Sequence, residues 1–316
     1  MQAMVIEEFG DTKQLHLKEL SKPLPEANEV QIQVCNAGVN PIDWKICQGH
    51  FKKMMPCVFP LVPGWDVSGV VTAVGKNVKK FKVGDQVFAY CRKPVVQWGC
   101  YAEYVTFDAD NVALKPKHIS FSQAASIPLA ALTAWQALFD VAKLKRGETI
   151  LVHAGAGGVG GFAIEFAKYA GAKITTTASE TNHPYVKKLG AEHAIDYRKT
   201  SFIQEMRKLY PQGVDIVFDT VGGPTLQESL EVLKPQGRLI SIVEHLDPTL
   251  VQQKNVQFSF VLVSPNGEQL KKIATLIEDG KVAVPEITEF QLSEAPRALD
   301  ISKQGHTKGK IVLRVK

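Results

Sequence analysis

The sequence predicts a mixed α/β protein in which a β-rich domain precedes a doubly wound parallel sheet. Three observations support this fold class. Short alternating segments separated by turns fill the region up to residue 122. From residue 123 onward, apolar strand-like runs alternate with segments of helical composition. A glycine-rich turn joins one strand to one helix near residue 155. A chain of 316 residues is also long enough for about two domains.

The first region is predicted to consist of short strands. Residues 30–35 alternate apolar and polar side chains with period two, as a half-buried strand requires. Residues 66–74 and 86–90 have the same character, and glycines at positions 75 and 84 separate them. These segments favour a compact, mostly β domain.

The second region is predicted to alternate strands and helices. Strands are expected at residues 149–153, 173–177, 194–197, 214–219 and 238–242, with helices from residue 158 and at 183–189, 201–210 and 225–233. Alternation of this kind indicates parallel strands joined by crossover helices. Residues 256–263 are a further strand candidate, either a sixth strand within a monomer or an edge strand that pairs with a second subunit. Helices at 268–278 and 293–302 and a strand at 310–315 follow.

Composition narrows the function classes. The net charge of +5 is spread thinly, and no basic stretch is interleaved with aromatic residues, so we expect no nucleic-acid partner. No apolar run approaches the length of a membrane span, and no signal peptide is evident, so we expect no membrane partner. The five cysteines form no paired pattern, which favours a reducing compartment, and we predict a cytoplasmic protein.

The glycine-rich turn predicts a dinucleotide site. Gly155, Gly157 and Gly160 have the spacing that binds a pyrophosphate between a strand and a helix. The first glycine permits the tight turn, the second lets the backbone approach the phosphates, and the third lets helix and strand pack closely. Gly158 and Val159 complete the turn beneath the pyrophosphate, where the helix N-terminus presents free N–H groups.

Five motifs together resemble those of the medium-chain dehydrogenase/reductase superfamily. They lie at residues 38–45, 62–70, 84–87, 133–135 and 154–160. The chain is most similar to the zinc-free quinone oxidoreductase branch, which includes the plant-type alkenal and enone reductases. The resemblance implies a GroES-like domain formed by residues 1–122 with 266–316. It also implies a Rossmann domain at residues 123–265.

The resemblance also implies that no metal is bound. Zinc-dependent members hold their catalytic metal with a cysteine and a Gly-His-Glu motif, and the matching positions here are Asn40 and Gly64-Trp65-Asp66. A structural zinc lobe needs four closely spaced cysteines, whereas only Cys91 and Cys100 are present in that region. Without a Lewis acid, we expect a quinone or a conjugated carbonyl compound as substrate. Conjugation in such a substrate delocalises the negative charge that develops as the hydride is transferred, and side-chain hydrogen bonds stabilise it further.

The predicted cofactor is NADPH. Ser179 stands where an NAD site would place an acidic residue on the ribose, and the resemblance puts Ser179, Asn182 and Tyr197 around a 2′-phosphate. A turn of Glu180 back to the ribose would favour NAD instead. By resemblance alone, the nicotinamide end is expected to involve Thr133, Thr220, Val243, Val261 and Leu262.

The candidate catalytic residues are Asn40, Asp43 and Lys45. By resemblance, Asn40 contacts substrate or the nicotinamide ribose, and Lys45 contacts both cofactor and substrate. The Lys45 ammonium is suited to stabilising a carbonyl oxygen as it gains negative charge. An exposed loop lysine, and for Asp43 a turn-stabilising carboxylate, are the structural alternatives.

The resulting hypothesis is hydride transfer from NADPH to quinones or α,β-unsaturated carbonyls. Reduction of 2-enoyl thioesters is one alternative, and a non-catalytic NADPH-binding protein is another. A homodimer through residues 256–263 is a further expectation that follows from the edge-strand interpretation.

Overall fold

The protein, seen here in a computed structural model that describes residues 1–316, consists of two compact units. The first comprises Met1–Leu132, Ser264–Gly280 and Val284–Lys316. The second comprises Thr133–Val263 and Lys281–Ala283. The first unit therefore extends past residue 122 to residue 132, and the chain returns to it after residue 263.

The first part of the chain is mostly β. Its strands are β1 (Gln2–Val5), β2 (His16–Glu19), β3 (Glu29–Val39), β4 (Cys57–Val62), β5 (Asp66–Val74), β6 (Gln86–Tyr90), β7 (Val96–Trp98), β8 (Tyr104–Asp108) and β9 (Val112–Leu114). Its helices are α1 (Pro41–Cys47), α2 (Phe121–Ala125) and α3 (Pro128–Trp135). A π-helical segment, Gln136–Val141, continues directly from α3.

Strands and helices alternate in the middle of the chain. In order they are β10 (Thr149–Val152), α4 (Gly158–Ala170), β11 (Lys173–Thr177), α5 (His183–Leu189), β12 (His193–Ile195), α6 (Phe202–Leu209), β13 (Val214–Asp219), α7 (Gly223–Glu228), β14 (Leu233–Ser241), α8 (Pro248–Gln253) and β15 (Gln257–Phe260). The chain continues with α9 (Gly267–Glu278), β16 (Ile287–Gln291), α10 (Ala295–Lys303) and β17 (Lys310–Arg314). None of the helices has the length and apolar character that crossing a bilayer requires.

A seven-stranded sheet forms the centre of the first unit. The strand order is β16–β17–β3–β5–β6–β9, and β8 also pairs with β3. The longest strand, β3, pairs antiparallel with both β5 and β17, with Gly38 opposite Asp66 and Val39 opposite Ile311. Because of these two pairings, residues near positions 40, 66 and 310 meet at one end of β3.

A six-stranded parallel sheet forms the second unit, which confirms the predicted doubly wound fold. The order is β12–β11–β10–β13–β14–β15, and every pairing is parallel. Buried residues such as Leu151, Val217 and Leu239 pack together in its core. The carboxyl ends of the parallel strands meet at one edge, where such sheets bind nucleotides.

The last strand of this sheet is shorter than the sequence predicts. Residues 256–263 form one apolar run, but β15 ends at Phe260. Its final pairing joins Phe260 to Ser241, the last residue of β14, so the ladder has no partner beyond this point. Within this chain β15 is the sixth strand, and its other side is open at the sheet edge.

Candidate active site

The glycine-rich turn is shaped by two glycines that admit no side chain. Gly155 follows Ala154, whose φ is 52°, and a Cβ atom at Gly155 would lie 2.1 Å from Oγ1 of Thr176. A Cβ atom at Gly160 would lie 2.4 Å from the carbonyl oxygen of Ala154. A side chain at either position would overlap these atoms. The close packing of the strand, the turn and helix α4 therefore requires glycine at both positions.

Gly157 differs because the space around it is open. An added Cβ would meet only the Ala154 oxygen, at 3.4 Å, and the φ of −78° is ordinary. Gly157 is the N-cap of α4, so the N–H groups of Gly158, Val159 and Gly160 lie in the first helical turn. Such groups have no intrahelical acceptor and carry partial positive charge. The turn therefore fits the pyrophosphate of a dinucleotide.

His153 links this turn to its surroundings through hydrogen bonds, and no sequence pattern indicated this role. Its ring is 1% exposed and hydrogen-bonds Oγ1 of Thr177 at 3.2 Å and Oγ of Ser229 at 3.0 Å. Burial lowers the pKa of His153 to about 3, so the ring stays neutral. The Thr220 hydroxyl donates to the His153 carbonyl oxygen at 2.9 Å.

The predicted 2′-phosphate residues lie after β11 and β12. The Asn182 side-chain amide donates to Oγ of Ser179 at 3.1 Å. Tyr197 is half-exposed, with the Arg198 guanidinium 5.6 Å from its ring centroid. Glu180 forms a salt bridge, so its carboxylate is already engaged by a cation.

The residues expected near the nicotinamide differ in exposure. Thr133 and Val261 are buried, whereas Val243 is 39% and Leu262 60% exposed. The nearby carboxylate of Asp219, which the sequence analysis assigned no role, is buried and accepts hydrogen bonds from the turn after β13.

In the first unit, Asp43 secures the start of α1. Its Oδ2 accepts the Asn40 backbone N–H at 2.8 Å and the Tyr101 hydroxyl at 2.9 Å. Asp43 and Tyr101 have no exposed surface, and Oδ1 of Asp43 is buried without a hydrogen-bond partner. Burial raises the pKa of Asp43 to about 7, against the lowering effect of these two hydrogen bonds.

Asn40 is enclosed by a buried lysine and a buried aspartate. Lys310 Nζ donates to Oδ1 of Asn40 at 2.5 Å and to the Val39 carbonyl oxygen at 2.8 Å. Nδ2 of Asn40 donates to Oδ2 of Asp66 at 2.8 Å, and Lys310 Nζ lies 3.8 Å from the same oxygen. Burial raises the pKa of Asp66 and lowers the pKa of Lys310, and their mutual attraction opposes both changes. Both ends of the Asn40 amide are thus bound within the protein.

Lys45 is a cation of α1 that has no carboxylate partner. It lies on α1, is half-buried and forms no salt bridge. Its Nζ is 5.6 Å from the Trp44 ring centroid, a cation–π distance. Burial lowers the pKa of Lys45 from that of an ordinary lysine. Such an ammonium is a proton donor for a substrate oxygen.

The positions that match the zinc ligands of related enzymes do not fit a zinc ion here. The Asn40 amide is already bound, and the buried Trp65 indole offers only an N–H donor. Asp66 faces the Lys310 ammonium, and like charge would disfavour a divalent cation beside it. Zinc sites need three or four imidazole, thiolate or carboxylate ligands.

The structure therefore groups Asn40 and Asp43 in one buried network, with Lys45 on the same helix. Asp66, Tyr101 and Lys310 complete the network and were not assigned roles from the sequence. Lys310 lies 270 positions after Asn40, so no local pattern connects them.

Comparisons with known proteins match both units. Residues 26–117 match the alcohol dehydrogenase GroES-like domain, and residues 189–313 match the family described as zinc-binding dehydrogenase. The NADPH-dependent alkenal/one oxidoreductase of Arabidopsis thaliana chloroplasts is 38% identical over 99% of this chain and 79% of its own length.

Two solved structures share the whole fold. The quinone oxidoreductase of Coxiella burnetii is 36% identical with a TM-score of 0.90, covering 100% of this chain and 99% of its own. The Escherichia coli quinone oxidoreductase in complex with NADPH is 28% identical with a TM-score of 0.90, covering 100% of both chains. The predicted family and the predicted oxidoreductase class are confirmed. The chain belongs to the medium-chain dehydrogenase/reductase superfamily and is similar to its quinone and alkenal oxidoreductases.

Proposed function

We propose that this protein is a zinc-independent, NADPH-dependent reductase of α,β-unsaturated carbonyl compounds and quinones. One observation supports this proposal most directly: Lys45, a half-buried ammonium without a carboxylate partner, lies on a helix whose start is fixed by a buried network. The second unit contributes the glycine-rich turn, where the space beside Gly157 is open.

The chain's own groups have distinct roles in this reaction. Bound NADPH supplies a hydride from nicotinamide C4. Lys45 donates a hydrogen bond to the carbonyl oxygen and stabilises the negative charge that develops there. For an enone, the hydride adds to the β-carbon and produces an enolate. Water then protonates the α-carbon, so the products are the saturated carbonyl compound and NADP⁺. Asn40 and Asp43 act as positioning residues for α1, because both are buried and hydrogen-bonded within the protein.

The cofactor residues are proposed in three groups. The pyrophosphate lies on Gly155, Gly157, Gly158, Val159 and Gly160, and the 2′-phosphate lies near Ser179, Asn182 and Tyr197. Thr133, Thr220, Val243, Val261 and Leu262 are proposed around the nicotinamide. The names of the Arabidopsis and Escherichia coli relatives support NADPH as the cofactor.

Zinc independence is supported by the ligand chemistry around Asn40 and Asp66, where the Lys310 ammonium already balances the carboxylate. We expect the purified protein to contain substoichiometric zinc and to keep full activity after dialysis against a chelator. Loss of activity on chelation with recovery on adding zinc would contradict this part of the proposal.

We also propose a cytoplasmic homodimer. The open edge of β15 supports strand pairing with a second copy. The five cysteines are all free, which supports a reducing compartment. Sedimentation of the purified protein tests the dimer, and cell fractionation tests the compartment.

The decisive experiment measures NADPH oxidation with a short alkenal, an ortho-quinone and an enoyl thioester in parallel. We expect turnover of the alkenal and the quinone at rates well above that of the thioester. Preference for the thioester would replace the proposed substrate class with the second candidate. Tight NADPH binding without any turnover would make the chain a non-catalytic NADPH-binding protein.

A further inference from the structure

The turns after β11 and β12 bring four charged side chains to one sheet edge. Thr177 pairs with Ile195 in parallel register, and the Ala178 N–H donates to the Ile195 carbonyl oxygen at 3.0 Å. Residues 179–182 and 196–199 therefore lie side by side. Their charged members are Glu180, Asp196, Arg198 and Lys199.

Glu180 is held by a lysine from the neighbouring turn. Its Oε2 lies 2.5 Å from Nζ of Lys199, and the side chains are 66% and 60% exposed. In NAD sites, a carboxylate after the second strand accepts the ribose 2′-hydroxyl. Here the Glu180 carboxylate is neutralised, and the hydrogen bond that Lys199 donates to it raises the pKa of Lys199, which keeps Lys199 charged.

The remaining two charges do not compensate one another. Oδ1 of Asp196 accepts the Arg198 backbone N–H at 3.0 Å, which ties this carboxylate into its own turn. The Arg198 guanidinium forms no salt bridge and lies beside the Tyr197 ring. With Glu180 and Lys199 paired, Arg198 is the cation of these two turns that has no carboxylate partner, and it lies beside Tyr197.

A phosphate monoester competes well for both cations. It carries about −1.5 to −2 charge at neutral pH and three acceptor oxygens, more than one carboxylate offers. The Glu180–Lys199 pair is exposed and therefore weak, so exchanging its partner costs little.

We propose that Lys199 is a specificity determinant that leaves Glu180 for the 2′-phosphate of NADPH, with Arg198 as the second cation, and that Glu180 limits the resulting preference over NADH. This inference rests on the proposed NADPH site.

The test isolates the phosphate by comparing two nucleotides that differ only there, 2′,5′-ADP and 5′-AMP, in calorimetric titrations at low salt. Lys199→Met and Arg198→Gln are each expected to weaken 2′,5′-ADP binding about tenfold and to leave 5′-AMP binding within twofold. Glu180→Gln is expected to strengthen 2′,5′-ADP binding severalfold. Lys173→Met is the matched control, because Lys173 is an exposed lysine at the opposite end of β11.

A double variant separates phosphate binding from simple neutralisation of Glu180. The double variant carries both Glu180→Gln and Lys199→Met. If Lys199 binds the phosphate, we expect the double variant to bind 2′,5′-ADP about fivefold more weakly than the Glu180→Gln single variant. Equal affinity of these two variants would overturn the assignment of Lys199. Unchanged 2′,5′-ADP affinity in Lys199→Met and Arg198→Gln would overturn the whole inference. These titrations need no turnover, so they are independent of the substrate proposal.

Discussion

Lys45 is the residue on which the proposed chemistry depends most. Its ammonium is half-buried and has no carboxylate to hold it, so a substrate oxygen competes for it without displacing an ion pair. Replacement by methionine keeps most of the side-chain volume and removes the charge. We expect Lys45→Met to lower kcat/KM for an alkenal by about 10²-fold, the usual effect of removing one oxyanion donor. Steady-state kinetics measures this change.

The control for Lys45 is Lys52→Met, which removes a charge from an exposed lysine a few residues away. We expect it to leave kcat/KM within twofold, and NADPH affinity to stay nearly constant in both variants. A large loss of NADPH affinity in Lys45→Met would move this residue to the cofactor site. An activity loss in Lys52→Met equal to that in Lys45→Met would show a general charge effect.

Asp43 gives the free energy of unfolding a defined pH dependence. Its pKa is about 7 in the folded protein, against 3.8 for the ordinary side chain. Between these values the folded state holds a proton that the unfolded state has released. Stability therefore falls as pH rises through this window, by about 1.4 kcal/mol for each unit of pKa difference.

We expect Asp43→Asn to make this slope shallower by the contribution of Asp43, because an amide oxygen accepts the same two hydrogen bonds and carries no titratable proton. Urea unfolding at several pH values from 4 to 8 measures the effect. Glu8→Gln, an exposed substitution, is expected to keep the wild-type slope. A slope in Asp43→Asn as steep as that of the wild type would mean that other buried groups are responsible for it.

At the scale of elements, two glycines of the proposed dinucleotide site are expected to have different roles, one in packing and one in binding. A Cβ at Gly160 meets backbone at 2.4 Å, whereas a Cβ at Gly157 meets its nearest atom at 3.4 Å. We expect Gly160→Ala to cost about 1–3 kcal/mol of stability, as overpacking does. Gly157→Ala is expected to cost less than about 1 kcal/mol and to weaken NADPH binding at least tenfold, because the methyl group occupies the phosphate approach.

Thermal unfolding and NADPH titration of the two glycine variants provide the measurement. Each variant serves as the control for the other. Equal loss of stability in both, or unchanged NADPH affinity in Gly157→Ala, would contradict the division of roles.

The elements that the sequence predicted well are those with a strong local pattern. Strands β10, β11 and β13 are buried and begin or end at clear turns, and the glycine spacing identifies the start of α4. Strand β2 was not predicted, because all four of its residues are exposed and show no alternation.

The site was only partly predictable for a similar reason. Asn40, Asp43 and Lys45 belong to one motif. Lys310 reaches the site through the pairing of β17 with β3, and Tyr101 reaches it from the loop between β7 and β8, and no local spacing encodes either contact.

At the scale of the whole molecule, the open edge of β15 predicts pairing with a second copy. The Val261 N–H donates inward to Ser241, so alternation directs the N–H groups of Phe258 and Phe260 to the open edge. We expect these two amides to exchange slowly at high protein concentration and faster on dilution, as a dimer dissociates. Hydrogen exchange with residue-level resolution measures this. Fast exchange of both amides in a sample that sediments as a dimer would place the interface elsewhere.

The return of the chain to its first unit has a consequence for how the protein is made. Strand β17 pairs with β3 at the middle of a sheet whose other central strands are synthesised more than two hundred residues earlier. On the ribosome, the nucleotide-binding unit has all but three of its residues by Val263, while the first unit still lacks β16, β17 and the ammonium of Lys310. The first unit is thus begun first and completed last, and until then Asp66 and Asn40 lack the ammonium that contacts both of them.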